Sequence, residues 1–236
     1  TTAELDLMAE LKESLDRSAG DDERLLRYYR GTQRIEQLGL AIPPSMRRFL
    51  VAVNWPRVVV DTIVGRQQVQ SLVIPGEETD DAKMRAIWDA SNLSAHLNMF
   101  NRDRCIFGRS FMSVGANERN PQLPLVRVES PREMAVKVDV RQEVALAAAR
   151  FYGVDSRTNV GPTHATLYLP DETVWCAMGS RGWVELDRNR HELGAVPVVM
   201  HLNRRLSAGW VGESQMTDIL PLTDSAARTM TNLQFA

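Results

Sequence analysis

The sequence has few of the residues on which disulfide-rich domains and metal sites are built. Of 236 residues, only two are cysteines and four are histidines. Cys105 and Cys176 lie far apart in the chain, so a disulfide framework is excluded and each is expected to act as a small buried hydrophobe. No run of about 18 apolar residues occurs, so we expect no membrane-spanning helix and no membrane partner. The acidic, helix-like start of the chain, 1–15, does not resemble a signal peptide.

Sequences typical of catalysis are also missing. No two histidines are four residues apart, which excludes a helical pair of metal ligands. No glycine-rich loop precedes a Gly-Lys-Ser/Thr sequence, so a phosphate-binding loop is excluded. We therefore expect no enzyme and no cofactor. Two alternatives stay open: a protein-binding adaptor module, and an α+β hydrolase or transferase with Cys176 as nucleophile and His191 or His201 as base.

Lysine is scarce, and the basic residues are almost all arginines. Lys12, Lys83 and Lys137 are the only lysines among 28 basic residues, and the net charge is −2. A chain with this balance is not a polycation that coats nucleic acid. The arginine preference fits a GC-rich genome, and it also fits guanidinium groups that hold carboxylates or phosphates.

Two arginine clusters are the candidate site. Arg102, Arg104 and Arg109 form the first cluster, and Arg204-Arg205 forms the second. Each is either a solvated, ion-paired surface or a contact to a DNA backbone or a neighbouring subunit. Arg104 occupies a position in an apolar helical stripe, so its side chain should extend to solvent or pair with an acid.

The first part of the chain has helical periodicity. Leu5, Met8, Leu11 and Leu15 predict a helix that Gly20 interrupts, and Asp21 and Asp22 could cap a second helix that ends near Gly39. Asn54-Trp55-Pro56 predicts a helix start, since the missing proline N–H costs nothing in the first turn. The segment 68–74 predicts a strand, and 94–107 predicts a helix ended by Gly108.

After Gly108 the period changes to two. Val126 and Val128 alternate with Arg127 and Glu129, and further alternating runs follow, which predicts half-buried antiparallel strands. The sequence Ser-Pro-Arg-Glu at 130–133 predicts a short turn between two of them. The segment 143–152 permits either helix or strand.

The last part of the chain returns to helical periodicity from Glu213, and Pro221 should kink or split that helix. The apolar stripe is still running at Ala236, which suggests an interrupted helix. The fold class is therefore predicted as α+β: N-terminal helices, a mainly antiparallel sheet region with packed helices, and a long C-terminal helix. The predicted division is a helical arm at 1–42, an α+β domain at 43–208 and the start of a helix at 209–236.

Several short segments carry a resemblance as an ordered set. They are Arg27-Tyr28-Tyr29-Arg30-Gly31, Asn54-Trp55-Pro56-Arg57-Val58-Val59-Val60-Asp61, Phe107-Gly108-Arg109-Ser110-Phe111, Val128-Glu129-Ser130-Pro131-Arg132, Gly194-Ala195-Val196-Pro197-Val198-Val199, Asn203-Arg204 and Gly212-Glu213-Ser214. In this order, the set resembles the portal (head–tail connector) proteins of tailed bacteriophages, of the siphophage type. It extends over about residues 25–225.

The resemblance implies a structural role in the virion. Portal proteins form a ring, usually of twelve subunits, at one capsid vertex, and double-stranded DNA enters and leaves through it. The chain would be the wing and the start of the stem. The implied partners are further copies of the chain, the major capsid protein, the terminase motor, head–tail adaptors and transient, non-specific double-stranded DNA, with assembly in the host cytoplasm. A cyclic ring needs two different patches on each subunit.

Overall fold

The N-terminal segment forms one long helix. The computed structural model describes residues 2–33, 53–74, 76, 79–154, 160–180, 182–207 and 209–235, and in it helix α1 runs from Thr2 to Arg30. The predicted interruption at Gly20 is therefore wrong, and Asp21 and Asp22 lie within the helix instead of capping a second one. Gly31, with a φ of +69°, follows its last residue. The helix end predicted near Gly39 lies outside the described residues.

Packing explains why α1 continues through Gly20. Met8, Leu11 and Leu15 are buried in a core shared with the larger sheet, whereas Leu26 and Tyr28 are buried in a second core shared with other helices. A glycine inside a helix costs about 1 kcal/mol relative to alanine. Burial of apolar side chains on both sides of the glycine outweighs that cost, because each contributes about 1.5–3 kcal/mol.

Among the residues described after α1, three shorter helices come before the sheets: α2 (Trp55–Val64), α3 (Ala82–Ala90) and α4 (Leu93–Phe107). The predicted start of α2 and the predicted end of α4 at Gly108 are confirmed. The Asn54 side chain does not cap α2; with its amide oriented by the surrounding hydrogen bonds, its nitrogen donates to the carbonyls of Tyr28 and Tyr29 at the end of α1. The strand predicted at 68–74 is wrong, because that segment pairs with no described strand.

Eight antiparallel strands make two sheets in the described part of the chain. The small sheet has the order β2-β1-β8 and the large sheet the order β3-β4-β5-β6-β7. The segment that permitted either helix or strand is β4. The strands are β1 (Arg109–Gly115), β2 (Leu125–Glu129), β3 (Met134–Asp139), β4 (Val144–Tyr152), β5 (His164–Tyr168), β6 (Glu172–Gly179), β7 (Gly182–Arg190) and β8 (Val198–Leu202).

The large sheet lies between α1 and the small sheet. Its alternating side chains Ala147, Ala149 and Phe151 face α1, which covers that side. From the opposite side, Met134 and Ala148 pack against Phe111 and Val198 of the small sheet, with Tyr168 of β5 beside them. The α+β fold class is confirmed.

The last described element is helix α5 (Leu220–Phe235), which follows a series of turns at 215–219. The helix predicted from Glu213 begins only at Leu220, and Pro221 lies in its first turn, where a missing N–H is tolerated, so the proline neither kinks nor splits it. Met216 and Leu220 are buried in the helical core with α2 and α4. The division at 1–42, 43–208 and 209–236 stays a prediction.

Candidate functional site

Three of the recognised segments meet at one point, which we call the glycine junction: Gly108, Asn203 and Gly212. Asn203 donates its backbone N–H to the Gly108 carbonyl at 2.8 Å, and its side-chain amide donates to the Glu213 carbonyl at 2.9 Å. The two glycines touch through their backbones. A Cβ on Gly212 would lie 1.9 Å from the Gly108 oxygen. Only glycine fits there, so the junction fixes how α5 leaves the sheets.

Arg109, the first residue of β1, holds α1 against the sheets. Its guanidinium donates to both Asp22 carboxylate oxygens, at 3.1 and 2.6 Å, and to Ser18 Oγ at 3.0 Å. The Asp22 side chain is 3% exposed and that of Arg109 is 21% exposed. The pair is bidentate, which fixes orientation as well as charge. Asp22 continues the seven-residue spacing of Met8 and Leu15, so the buried stripe of α1 includes a carboxylate.

Arg104 and Arg102 lie on α4 but face different neighbours. Arg104 contacts His201 of β8 at 3.2 Å in an exposed position, so its partner is a histidine and not the expected acid. Burial, and then the nearby Arg104 charge, lower the pKa of His201. Arg102 lies 3.6 Å from Asp61 of α2, which also accepts a hydrogen bond from Tyr29 at 2.8 Å.

Arg204 and Arg205 follow β8 and point to different partners. Arg204 pairs with Asp218 at 3.1 Å, just before α5. Arg205 pairs with Glu143, in the turn between β3 and β4, at 2.5 Å, and its guanidinium lies 3.9 Å from the centre of the Trp210 ring. Both arginines therefore tie the segment before α5 to the sheets.

The five candidate arginines are thus separate anchors. The structure gives each an intramolecular partner; pairing of β1 with β8 places Arg109 opposite Leu202, two residues before Arg204, but the side chains of the two clusters bind different partners. Their contact with DNA or a neighbouring subunit stays a prediction.

Comparison with known proteins decides the family. A family model described as "Phage portal protein, SPP1 Gp6-like" matches residues 9–234. The chain belongs to this family. The portal proteins of Mycobacterium phages D29 and L5 are each 32% identical to it, over 214 and 216 residues that make up 88% of the chain. In each case the match spans 44% of the relative's length.

A buried carboxylate that sequence reasoning missed joins the two sheets of this portal fold. Glu129 was expected at a polar strand position, yet it is 3% exposed. It accepts a hydrogen bond from Ser113 Oγ at 2.6 Å and pairs with Arg150 of β4 at 2.9 Å. Burial, followed by the Glu129 charge, raises the pKa of the adjacent Tyr168 to about 12. The alternation of apolar and polar residues in β2 does not indicate that Glu129 is buried, because its partner Arg150 lies on a different sheet.

Arg188 of β7 is the centre of a second network that was missed. It donates to Glu172 at 2.6 Å, to Glu185 at 2.7 Å and to Glu4 of α1 at 2.9 Å. The hydrogen bond from Arg188 lowers the pKa of Glu4 to about 2. An arginine that faces three acids from three elements ties the start of α1 to the edge of the large sheet.

The hydrolase alternative receives no support. Cys176 lies in the apolar core beneath α1, and burial raises the pKa of its thiol, which is opposite to the activation of a nucleophile. His191 instead contacts Thr173 Oγ1 at 3.3 Å. Among the described residues, no group of three or more His, Cys, Asp or Glu side chains could hold a metal ion. No described helix has the length and apolarity needed to span a membrane.

Proposed function

We propose that this chain is the wing and the start of the stem of a phage portal subunit, a structural component of the ring at one capsid vertex. The observation that carries the proposal is the portal family match over residues 9–234, together with two relatives named portal proteins. The chain spans 44% of the length of those relatives, so the proposal assigns it the part of a portal subunit that it matches.

In this proposal the chain acts by geometry and not by catalysis. The arm at 1–42 and the domain at 43–208 form the wing, while 209–236 begins the stem. The glycine junction and the Arg204 and Arg205 pairs support this role, since they fix the direction in which α5 leaves the wing. Such a ring would connect the major capsid protein, the terminase motor and the head–tail adaptors in the virion, after assembly in the host cytoplasm.

The charge balance supports a conduit that double-stranded DNA passes through without tight binding. A protein that neutralises many phosphates binds DNA through the release of counterions, which would oppose movement of the DNA. This chain has a net charge of −2, and Arg102, Arg104, Arg109, Arg204 and Arg205 all have intramolecular partners. Transient, non-specific contact with DNA is therefore expected, and stable binding is not.

Assembly of the full-length protein tests the proposal. We expect light scattering to give the mass of a closed oligomer and negative-stain images to show rings with a central channel. A full-length protein that stays monomeric at micromolar concentration, with no rings, would refute the portal role. Binding to a 30-base-pair duplex should also be weak and should vanish on moderate addition of salt.

A further inference from the structure

The segment Gln67–Ile74, here called the donor segment, runs without helix, turn or bend and pairs with no described strand. From Gln68 to Ile74, only Leu72 makes backbone hydrogen bonds to the described part of the chain. Its N–H donates to the Asp80 carboxylate, and its carbonyl accepts the Asp81 N–H. Val69, Val73 and Ile74 are all exposed, and the segment has no charged residue. Four of its eight residues are apolar and three of those are β-branched, which is compatible with a half-buried strand, but the described part of the chain gives it no partner strand.

The outer edge of β7 offers the complementary surface. β7 is the last strand of the large sheet, and its side chains Val184 and Leu186 are exposed. A groove of about 640 Å³ opens between α1 and the start of β7, lined by Leu5, Ala9 and Trp183 with charged residues at its rim. A sixth strand beside β7 would have α1 on one face. We call β7 with Leu5 and Ala9 the acceptor edge.

The other sheet edges are less open. At the edge of β2, Ser91 Oγ already accepts the Val126 N–H at 3.0 Å. β3 borders α1, where Lys137 pairs with Glu10 at 2.6 Å. β8 is four residues shorter than β7, with Arg104 of α4 against its His201. Helices and polar side chains commonly block sheet edges in this way, so β7 is the most open of the described edges, although its register with β6 shifts at Leu186.

We propose that the donor segment of one subunit pairs with the acceptor edge of the next subunit and adds a sixth strand to its large sheet. The inference rests on the proposed ring, which needs two different patches on each subunit. The two surfaces meet this need because they lie on different flanks. The donor segment is hydrogen-bonded to the start of α3, and α3 packs on β2 of the small sheet. The small sheet meets the large sheet at β3, β4 and β5, and β7 lies two strands beyond β5.

The chemistry of the two surfaces matches. Strand addition pairs backbone N–H and C=O groups that only water otherwise satisfies. One face of the added strand would cover Leu5, Ala9 and Trp183, and the other would extend the exposed apolar surface at Val184. Of the four charged residues of β7, Glu185 and Arg188 already pair with each other at 2.7 Å, Arg190 lies 3.8 Å from Glu172, and Asp187 accepts the backbone N–H of Arg188 at 2.8 Å.

Disulfide cross-linking in the full-length protein tests the pairing. Leu186→Cys is combined in turn with a cysteine at each position from Val69 to Ile74, and the native Cys105 and Cys176 are buried. Oxidised assemblies should give a covalent ladder up to the full ring on a denaturing gel, strongest at every second donor position. Val199→Cys is the matched control, since Val199 of β8 is 63% exposed and Leu186 is 62% exposed. It should give no ladder.

A proline variant gives an independent readout. Val73→Pro removes a backbone donor at a residue exposed in the free subunit, so the assembled fraction should fall about tenfold, whereas Val73→Thr keeps the donor and should assemble normally. Rings that form with no ladder from any donor position, and that tolerate Val73→Pro, would overturn strand addition and leave the portal role intact. Absence of rings in the unmodified protein would overturn both.

Discussion

Replacing Arg109 by alanine is expected to destabilise the wing more than any exposed charge substitution. The change leaves the Asp22 carboxylate, which is 3% exposed, with Ser18 Oγ as its remaining partner at 3.3 Å. Removing one partner of a buried ion pair costs about 3–5 kcal/mol, because the other charge is left uncompensated. We therefore expect the free energy of unfolding to fall by about 3–5 kcal/mol in Arg109→Ala.

The reverse substitution should cost less. In Asp22→Ala, the Arg109 guanidinium keeps Ser18 Oγ at 3.0 Å, the Pro131 carbonyl at 3.2 Å and its contact with solvent. A loss of about 2 kcal/mol is expected, since a charged hydrogen bond contributes about 1.5–3 kcal/mol. The double variant should cost about 2 kcal/mol less than the sum of the two single variants, because the residues act as one pair.

Urea unfolding followed by tryptophan fluorescence measures these differences. Asp21→Ala is the matched control, since Asp21 is the neighbouring aspartate on α1 and its pair with Arg24 is exposed, with side chains 76% and 55% accessible. It should change stability by less than about 0.5 kcal/mol. Equal costs for the Asp21 and Asp22 variants, or additive costs for Asp22 and Arg109, would refute the buried pair.

Three further predictions follow from the same geometry. Gly212→Ala should cost about 3 kcal/mol or more, because its Cβ would overlap the Gly108 oxygen. Gly20→Ala should instead stabilise the protein by about 0.5–1 kcal/mol in urea unfolding, because Gly20 is helical with nothing within 4 Å of an added Cβ. Glu4 takes up a proton more readily in the unfolded chain than beside Arg188, so the free energy of unfolding should fall as the pH is lowered from 5 to 2. In Glu4→Gln this fall in the free energy of unfolding should be smaller by about 1 kcal/mol.

Each of these has its own counter-result. A stable Gly212→Ala variant would mean that the two glycine backbones are not in contact. A destabilised Gly20→Ala variant would support a break in α1. For the acid titration, Glu10→Gln is the control, since Glu10 pairs with Lys137 on the exposed side of the same helix. An equal effect of both glutamine variants would show that Arg188 has no special role.

Local patterns predicted most of the elements correctly because their causes are local. The start of α2 depends on Pro56, the end of α4 depends on Gly108, and the strands alternate in sequence. The errors arise where distant packing decides. Gly20 lies in a helix because α1 reaches two cores, and the donor segment has strand composition but no strand beside it in the described part of the chain.

The candidate arginines also show that local patterns identify residues, whereas distant packing decides their partners. The sequence alone identifies Arg109 as a candidate, but its partner Asp22 is 87 positions away, and the local pattern at Asp22 predicts a helix cap. Glu129 was placed at a polar position because alternation says nothing about Arg150 on the other sheet. A carboxylate at a heptad position of an apolar stripe, as at Asp22, is the one local sign that a buried partner exists.

Cryo-electron microscopy of the full-length protein tests the central claim most directly. The account predicts a closed ring with a central channel, in which each subunit contains the α1–α5 fold and the large sheet touches a neighbouring subunit. A monomer, or a dimer with two-fold symmetry that leaves no channel, would contradict the portal role.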